Sequence, residues 1–347
     1  MTDPLLLETA ERVLGAACTH EAIEAAERDG WAPAVWERAA AAGLPWVATE
    51  GGSLVDALAV LRVAGRHAAP VPLAETGLLA GWLLAGAGLP VGEGPLTVVP
   101  GRPEDTVALR GDRLSGVAHR VPWARAVDRV VALVPVGGHG AWVVAAVPAA
   151  EVGVERRANL AGEPRDTVTF DGAAEVAPAG PGVSGEALRY RGALTRVMLM
   201  AGALERLSRL TVAYAGDRVQ FGRPVARFQA VQQLLVTAAQ EAALVGAAAD
   251  GAARAADGGD ARFEVAAAKL LANRAAAAAT RAAHQAHGAM GMTREYPLHH
   301  LTRRLWAWRS EHGDDRFWSA RLGAAVAGGG ADLLYPAITG GSAVLEA

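Results

Sequence analysis

The stretch Arg218-Val219-Gln220-Phe221-Gly222-Arg223-Pro224, followed by Phe228-Gln229, joins two long apolar segments through a short connection. Gly222 can adopt backbone angles that are closed to other residues, and Pro224 has the φ angle of a first helical turn. The stretch predicts a rigid corner between two helices that presents Arg218 and Phe221 outward. A planar cation beside an aromatic ring suits a ligand that carries a phosphate and a flat ring. A simple turn with solvated arginines explains the same residue types as well.

The segments on both sides of this corner predict a helical C-terminal half. Apolar residues recur at helical spacing from Ala187 to Ala215, again after Pro224, and again from Phe263 to Gln285. This pattern predicts a four-helix bundle over residues 184–330 and a tail at residues 331–347.

In the N-terminal half, the spacing of hydrophobic residues changes from helical to β-type near Pro90. Residues 1–92 carry the spacing of a helical domain, with a helix stop at Gly43. The next segment contains five short β-type runs separated by Pro, Gly and Asp: Leu96–Val99, Thr106–Leu109, Val127–Val134, Trp142–Val144 and Thr167–Phe170. Residues 93–180 are therefore predicted to form a small antiparallel barrel or sandwich. The predicted fold class is α+β, mainly α.

Composition excludes several classes of protein. The 347 residues are 52% hydrophobic with a formal net charge of -3, which does not indicate a nucleic-acid partner. Cys18 is the only cysteine, so neither an internal disulfide nor a cysteine metal site is possible. The longest apolar run, from Gly77 to Leu89, is too short to span a bilayer, and no signal peptide is visible at the N-terminus. We therefore expect a cytoplasmic protein without membrane insertion.

A second stretch whose residues could contact a ligand follows the last long helix, from His284 to Pro297. Gly288 and Gly291, three residues apart, allow a backbone to approach a ligand closely. A helix C-cap followed by a glycine turn is the alternative interpretation. The nearby histidines do not have the H-E-x-x-H spacing of a metal site, so no metal is predicted.

The two stretches together resemble the acyl-CoA dehydrogenase family. The first resembles its R-x-x-F-G-x-P…F-Q motif and the second its Q-x-x-G-G-x-G-x-x-x-E-Y-P motif, with Ala289 where the family usually has glycine. The resemblance implies the family's fold, and FAD as cofactor with its diphosphate and adenine end held across a subunit interface. The residues that it assigns to FAD are Arg218, Gln220, Phe221, Gln229, Gln285, Gly288, Ala289 and Gly291.

The same resemblance directs attention to the loop Arg309-Ser310-Glu311-His312-Gly313-Asp314-Asp315. Removal of a proton α to a thioester needs a carboxylate in a dry pocket, and burial raises the pKa of a carboxyl toward neutrality. In much of the family this base is the glutamate of an E-G-T/S loop, but His312 occupies the ungapped position here. Glu311 is the candidate base if the loop shifts by one residue; a salt bridge from Glu311 to Arg309 or Arg316 is the structural alternative. The family's other base position, near Thr195, holds no carboxylate.

One departure shapes the functional prediction. Nothing between Leu89 and Arg113 matches the family's Thr-Glu-Pro-x-x-Gly-Ser-Asp stretch, which wraps the flavin ring and the acyl thioester. The chain therefore resembles the shorter subunit of heteromeric family members, some of which act on CoA thioesters of steroid side chains. The resemblance implies a dehydrogenase that converts an acyl-CoA to its 2,3-enoyl-CoA, acts as a homo- or hetero-oligomer (preferably a heterotetramer with a longer paralogue), and passes electrons to an acceptor. A catalytically silent scaffold subunit that completes a partner's FAD site, and a helical binding module without FAD, are the alternatives.

Overall fold

A computed structural model describes residues 3–137, 140–330, 332 and 334–340. Part of the predicted tail, at 331, 333 and 341–347, lies outside the described residues. The chain forms two compact units: one comprises Met1–Val60 and Ala69–Gly192, and the other comprises Leu61–Ala68 and Ala193–Ala347. The long helix Gly185–Asp217 and the helix Leu54–Arg66 each contribute residues to both units.

The first unit begins with helices whose ends follow from local sequence. They are α1 (Pro4–Ala17), α2 (His20–Asp29), α3 (Pro33–Ala41), α4 (Leu54–Arg66, whose last residues belong to the second unit) and α5 (Trp82–Gly86). The Asp3 side chain accepts the Leu5 N–H at the start of α1, and the Thr19 hydroxyl accepts the Ala22 N–H at the start of α2. Helix α2 ends at Gly30, which has a φ of 76°.

The apolar run from Gly77 to Leu89 overlaps with a π-helix, Ala74–Gly81, which continues directly into α5. Every residue of this π-helix is buried. Gly77 packs so closely on the carbonyl of Pro45 that a Cβ atom would overlap with the carbonyl oxygen. The π-helix is thus a buried core element, and no helix in the described part of the chain is long and apolar enough to cross a membrane.

The β-domain consists of two four-stranded sheets, with strand orders β1-β4-β5-β8 and β2-β3-β7-β6. The strands are β1 (Leu96–Val98), β2 (Ala108–Arg110), β3 (Arg113–Pro122), β4 (Arg129–Val136), β5 (Ala141–Pro148), β6 (Gly153–Glu155), β7 (Arg165–Ala173) and β8 (Glu175–Pro178). Pairing is antiparallel except between β1 and β4, which run parallel. The predicted small, largely antiparallel β-domain is confirmed.

Strand β4 shows how alternation builds the two cores of this unit. Val130, Ala132 and Val134 pack into the apolar layer between the sheets. Val131, which points to the other face, packs against the π-helix and α5 through residues such as Leu83. One strand therefore serves two hydrophobic cores, and both of its faces are buried.

The second unit contains the predicted helical bundle. Its helices are α6 (Gly185–Asp217, which begins in the first unit), α7 (Gln229–Gly258), α8 (Arg262–His287), α9 (Leu298–Trp308), α10 (Asp315–Gly329) and α11 (Leu334–Gly340). Helix α8 buries a long series of alanines, which lets neighbouring backbones approach closely. The fold class, α+β and mainly α with a C-terminal four-helix bundle, is confirmed.

The connection between α6 and α7 differs from the predicted helix–helix corner. It forms a short hairpin, in which β9 (Val219–Gln220) pairs with β10 (Arg223–Pro224). Pro224 pairs with Val219 and precedes a short 3-10 turn, so it does not open the next helix as predicted. Helix α7 starts at Gln229, after Phe228 in extended conformation. The glycine turn allows the chain to reverse within four residues, before a helix can restart.

Candidate functional site

The hairpin between α6 and α7 presents an aromatic ring to solvent. Phe221 and Gly222 both have positive φ angles, 52° and 77°, which is the geometry of a tight two-residue hairpin turn. Phe221 is 89% exposed although it is a large apolar residue. The ring of Phe228 packs against this turn. Its centroid lies 6.0 Å from that of Phe221 in an edge-to-face arrangement, and the Arg223 guanidinium lies 4.2 Å from the centroid of the Phe228 ring. The sequence prediction that Phe221 points outward agrees with this placement.

Arg218 forms the base of the same hairpin. Its N–H donates to the Tyr214 carbonyl at 2.9 Å, and its own carbonyl accepts the Val225 N–H at 2.8 Å. The side chain is exposed and forms no ion pair within the described part of the chain. Gln220 and Gln229 are also exposed on this hairpin and at the start of α7. The hairpin thus offers a cation, a ring and two amides to a ligand or a partner.

The second predicted stretch forms the end of α8 and a 3-10 turn, Gly288–Met292. Gly288 has a φ of 60°, and a Cβ atom added to it would have no neighbour within 4 Å. Gln285, Gly288 and Ala289 are exposed. Gly291 is buried instead, and an added Cβ atom would lie 2.8 Å from the Cβ atom of His287. The chain's own His287 therefore requires a glycine at position 291, whereas Gly288 leaves open space.

A stack of three rings joins the two stretches. Tyr214, one turn before Arg218 on α6, stacks on His287 with 4.4 Å between ring centroids. Tyr296 packs 4.9 Å from His287 and 5.5 Å from Tyr214. Because His287 immediately precedes Gly288, the stack brings the hairpin base and the glycine turn close together. The sequence signal for Tyr214, an aromatic residue one helical turn before Arg218, was present but not used.

His287 is buried as a neutral imidazole. Burial lowers its pKa, and its Nδ1 atom donates to the Ala283 carbonyl at 2.7 Å. Its Nε2 atom is buried without a hydrogen-bond partner among the described residues. Neighbouring His284 also has a pKa lowered by burial. No group of three or more His, Cys, Asp or Glu side chains that could hold a metal ion occurs among the described residues.

The candidate base Glu311 lies in the loop between α9 and α10 and forms an ion pair with Arg196 of α6. The Arg196 Nε atom donates to Glu311 Oε2 at 2.6 Å, and the two side chains are 1% and 18% exposed. The observed partner of Glu311 is therefore neither Arg309 nor Arg316, the two arginines expected for a purely structural salt bridge. Arg309 instead pairs with Asp315 at 3.2 Å and stacks on Trp306. Either carboxylate oxygen of Glu311 could accept a proton, and one of them, Oε2, is hydrogen-bonded to the Arg196 guanidinium.

The loop itself is tightly constrained. His312, at the ungapped family position, has a φ of 53°, and Gly313 has a φ of 111°. A Cβ atom at Gly313 would lie 2.5 Å from the indole nitrogen of Trp318. Buried Thr195 is adjacent to Arg196 in sequence, and the bond from Arg196 to Glu311 holds this part of α6 beside the loop. The sequence prediction missed Arg196, which has no local signal because its partner is 115 residues away.

Comparison with known proteins identifies the lineage. Residues 185–317 match the family model "Acyl-CoA dehydrogenase, C-terminal domain". The chain is 31% identical over 255 residues to acyl-CoA dehydrogenase IpdE2 of Mycobacterium tuberculosis, covering 72% of this chain and 70% of that protein. The chain belongs to the acyl-CoA dehydrogenase family.

Two solved structures have closely similar folds. The ChsE4-ChsE5 complex from Mycobacterium tuberculosis matches with a TM-score of 0.84 and 25% identity, covering 94% of this chain and 98% of that chain. A steroid acyl-CoA dehydrogenase variant, Tcur3481-Tcur3483 G363A, matches with a TM-score of 0.83 and 25% identity over 93% and 97% of the two chains.

The residues of this acyl-CoA dehydrogenase chain fit one end of a flavin dinucleotide better than the other. An exposed guanidinium, an exposed aromatic ring and an open glycine suit a diphosphate and an adenine. The segment where the family holds the flavin ring uses its polar groups internally. Thr97 is fully buried and its hydroxyl donates to the Pro122 carbonyl at 2.5 Å, while Asp105 accepts the backbone N–H groups of Arg102 and His119.

Proposed function

We propose that this chain is the shorter subunit of an FAD-dependent acyl-CoA dehydrogenase that works as a hetero-oligomer with a longer paralogue, preferably a heterotetramer. The observation that carries the proposal is the exposed Arg218–Phe221 hairpin beside the open turn at Gly288. The reaction is the α,β-dehydrogenation of an acyl-CoA thioester to the 2,3-enoyl-CoA. Family membership and the two similar structures, ChsE4-ChsE5 and Tcur3481-Tcur3483, each named for a pair of proteins, support this proposal.

The FAD diphosphate and adenine are the groups that this chain would hold. Arg218 supplies the positive charge, Phe221 a flat face, and Gln220, Gln229 and Gln285 supply amide groups. Gly288, Ala289 and Gly291 form the turn beside them. FAD, when bound, supplies the hydride acceptor, and the longer paralogue is proposed to hold its ring. An electron-transfer acceptor then reoxidises the enzyme between turnovers.

Glu311 is the proposed base. Its carboxylate would remove the proton from the α-carbon, and bound FAD would supply the acceptor for the hydride that leaves the β-carbon as the carbon–carbon double bond forms. The buried Arg196 and the constrained loop fix the direction of the carboxylate, which favours proton transfer by orientation. The steroid enzyme among the similar structures makes a bulky acyl group on CoA the preferred substrate class.

The ion pair between Glu311 and Arg196 also favours a second candidate function. A carboxylate bound to a guanidinium is occupied as an acceptor, and His312 stands at the family's ungapped base position. A silent scaffold subunit needs only the hairpin and the glycine turn. In that role the chain completes the FAD site of its paralogue, and the paralogue provides the base.

Co-purification with the longer paralogue tests the proposed function. We expect the complex to show flavin absorbance and to reduce a ferrocenium acceptor when an acyl-CoA is added. A complex that is colourless and inactive contradicts both candidate functions. Glu311→Gln then separates them, because the carboxamide keeps the size of the side chain without the base. Lost turnover with retained flavin supports catalysis by this chain, and unchanged turnover supports the scaffold.

A further inference from the structure

Lys269 is the only lysine among the 33 lysine and arginine residues of the chain. It lies on α8, between alanines and leucines, and its side chain is 0% exposed. A wholly buried ammonium is rare because its desolvation is costly unless several acceptors surround it. The single lysine of the chain thus occupies a wholly buried position, where its charge must be stabilised by neighbouring groups.

The ammonium of Lys269 binds the segment that carries Glu311. It donates to the Asn273 side-chain oxygen at 2.6 Å and lies within 3.3 Å of the backbone carbonyls of Trp308, Arg309 and Gly313. The first two carbonyls belong to the end of α9, where the last carbonyls of a helix have no partner within the helix. A cation at this end also interacts favourably with the helix dipole.

The Gly313 carbonyl receives three donors. Besides Lys269, the Asn273 amide approaches it at 3.5 Å and the Trp318 indole donates at 3.2 Å. Two of these donors lie on α8 and the third on α10, so the loop between α9 and α10 is held from both sides. Lysine suits this position because a compact ammonium can direct its hydrogens to several carbonyls, whereas a guanidinium is planar and larger.

The charges that act on Lys269 come from three parts of the second unit. Arg196 on α6, Arg309 and Glu311 on the loop, and Asp315 on α10 all act on the ammonium. Burial lowers the pKa of Lys269 to about 7, and Glu311 is the anion that most opposes this decrease. Glu311 therefore interacts with two buried cations on different helices, with Arg196 through an ion pair and with Lys269 through its charge.

We propose that Lys269 is the positioning residue for Glu311: its ammonium fixes the carbonyls of residues 308–313 and thereby sets the carboxylate for removal of the α-proton. The proposal rests on the proposed function, in which Glu311 is the base. When Lys269 loses its proton, the neutral amine has two hydrogens for four acceptors, so the loop loses hydrogen bonds. Turnover is then expected to fall as pH rises through the pKa of Lys269.

The single lysine makes a direct measurement possible. Lysine labelled with ¹³C at the ε-carbon gives one side-chain signal in the full chain or in the complex. We expect this signal to titrate far below the ordinary lysine range. Glu311→Gln removes the nearby anion and is expected to lower the pKa of Lys269 further. Glu241→Gln on α7 is the matched control and is expected to leave the titration unchanged. An ordinary lysine titration, or a titration that Glu311→Gln does not move, overturns the proposal.

Kinetics of the assembled complex give the second test. Lys269→Met keeps the length of the side chain without a donor or a charge, and circular dichroism of the variant checks that it folds. We expect normal assembly and flavin content, unchanged KM, and kcat lower by about tenfold to hundredfold, as expected for a displaced catalytic group. The decrease of kcat with pH above neutrality is expected to disappear. Lys269→Arg is not expected to restore activity, and Arg274→Met, which removes an exposed cation of α8, serves as the control.

The outcomes separate this proposal from the proposed function. Wild-type activity in Lys269→Met overturns the positioning role even if Glu311 is essential. Unchanged turnover in Glu311→Gln contradicts the base assignment and with it the positioning role, whatever Lys269 does. If the wild-type complex lacks flavin or activity, the proposed function fails, and the NMR titration still decides whether Lys269 and Glu311 are coupled.

Discussion

Phe221 combines two features that do not favour stability. Its backbone lies in the left-handed region, which costs a residue with a side chain roughly 1–2 kcal/mol, and its ring is 89% exposed. A glycine or asparagine at this position satisfies the turn with less strain. We therefore expect the ring of Phe221 to contact a ligand or a partner outside this chain.

We expect Phe221→Asn to leave the free energy of unfolding unchanged or to raise it by up to about 1 kcal/mol, because strain is relieved and little burial is lost. The same variant is expected to retain less flavin in the complex with the paralogue, by about tenfold in affinity, since a stacked ring contributes roughly 1 kcal/mol or more. Urea unfolding and flavin titration measure the two effects. Val219→Thr, a neighbouring exposed hairpin substitution, is the control for both. A Phe221→Asn complex with normal flavin affinity contradicts the proposed contact.

His67 links the stability of the second unit to pH. Burial, together with the positive charges of Arg66 and Arg206, lowers its pKa from 6.5 to about 4. The folded chain therefore keeps His67 neutral where the unfolded chain protonates it. Its contribution to stability is complete above pH 6.5 and is lost as pH falls from 6.5 toward 4.

This sign gives a prediction at the level of one residue. Between pH 7.5 and pH 5, His67 is expected to lower the free energy of unfolding by about 2 kcal/mol. His67→Gln is expected to remove this part of the pH dependence, and His20→Gln, on a helix of the first unit, is expected to keep it. Urea unfolding of the three proteins at both pH values measures the difference. Equal pH dependence in wild type and His67→Gln would show that the folded imidazole titrates normally.

At the level of elements, the end of α4 and the middle of α6 cross with their backbones in contact. A Cβ atom at Gly65 would overlap with the Leu199 carbonyl oxygen, and one at Gly202 would overlap with the Arg62 carbonyl oxygen. Each helix thus provides a glycine for the backbone of the other. Contact with backbone atoms leaves no flexible side chain that could move aside.

Gly202→Ala is therefore expected to destabilise the protein strongly, by about 3 kcal/mol or more, because the two helices must separate to admit one methyl group. Gly216→Ala on the same helix is the matched control. Its added Cβ atom meets nothing within 4 Å, so the substitution is expected to stabilise α6 by up to about 1 kcal/mol. Thermal unfolding of the two variants measures the contrast. Similar melting temperatures for both would contradict the close crossing.

Helices and strands whose hydrophobic residues recur at a regular spacing were predictable from sequence. Elements in which this spacing is interrupted were not. The helices of the bundle follow the apolar spacing, and β4 follows its valines. Strand β3 was missed because Gly116 and Arg120 have positive φ angles and its register shifts between Ala118 and Val121. The same limit applies to the site. Motif spacing indicated Phe221 and the loop that contains Glu311 and His312, whereas Arg196 and Lys269 become visible only when distant helices are packed together.

For the whole molecule, the limits of the family model and of the physical unit differ. The model begins at residue 185, whereas the second compact unit also includes Leu61–Ala68 from α4. This short segment carries Arg62 and Arg66, which both bind Glu205 of α6, at 2.8 Å for Arg62 Nε and 2.8 Å for Arg66 Nη2. Arg62 also binds Asp250 of α7 at 2.6 Å. Burial opposes the charge of Glu205, but these arginines overcome the effect and lower its pKa.

A fragment of residues 185–347 is therefore expected not to unfold as a cooperative unit. In this fragment Glu205 lacks both of its arginine partners, and the Leu199 backbone lacks its contact with Gly65 of α4. Removing the partners of a half-buried charge costs about 3–5 kcal/mol, which is a large part of the stability of a domain. A peptide of residues 54–68 added in trans is expected to restore a cooperative thermal transition whose midpoint rises with peptide concentration. The same peptide with Arg62→Gln and Arg66→Gln is the control and is expected to have little effect. Circular dichroism melting curves at several peptide concentrations measure both. A fragment that melts cooperatively at the temperature of the full chain without peptide would show that the bundle does not depend on the α4 segment.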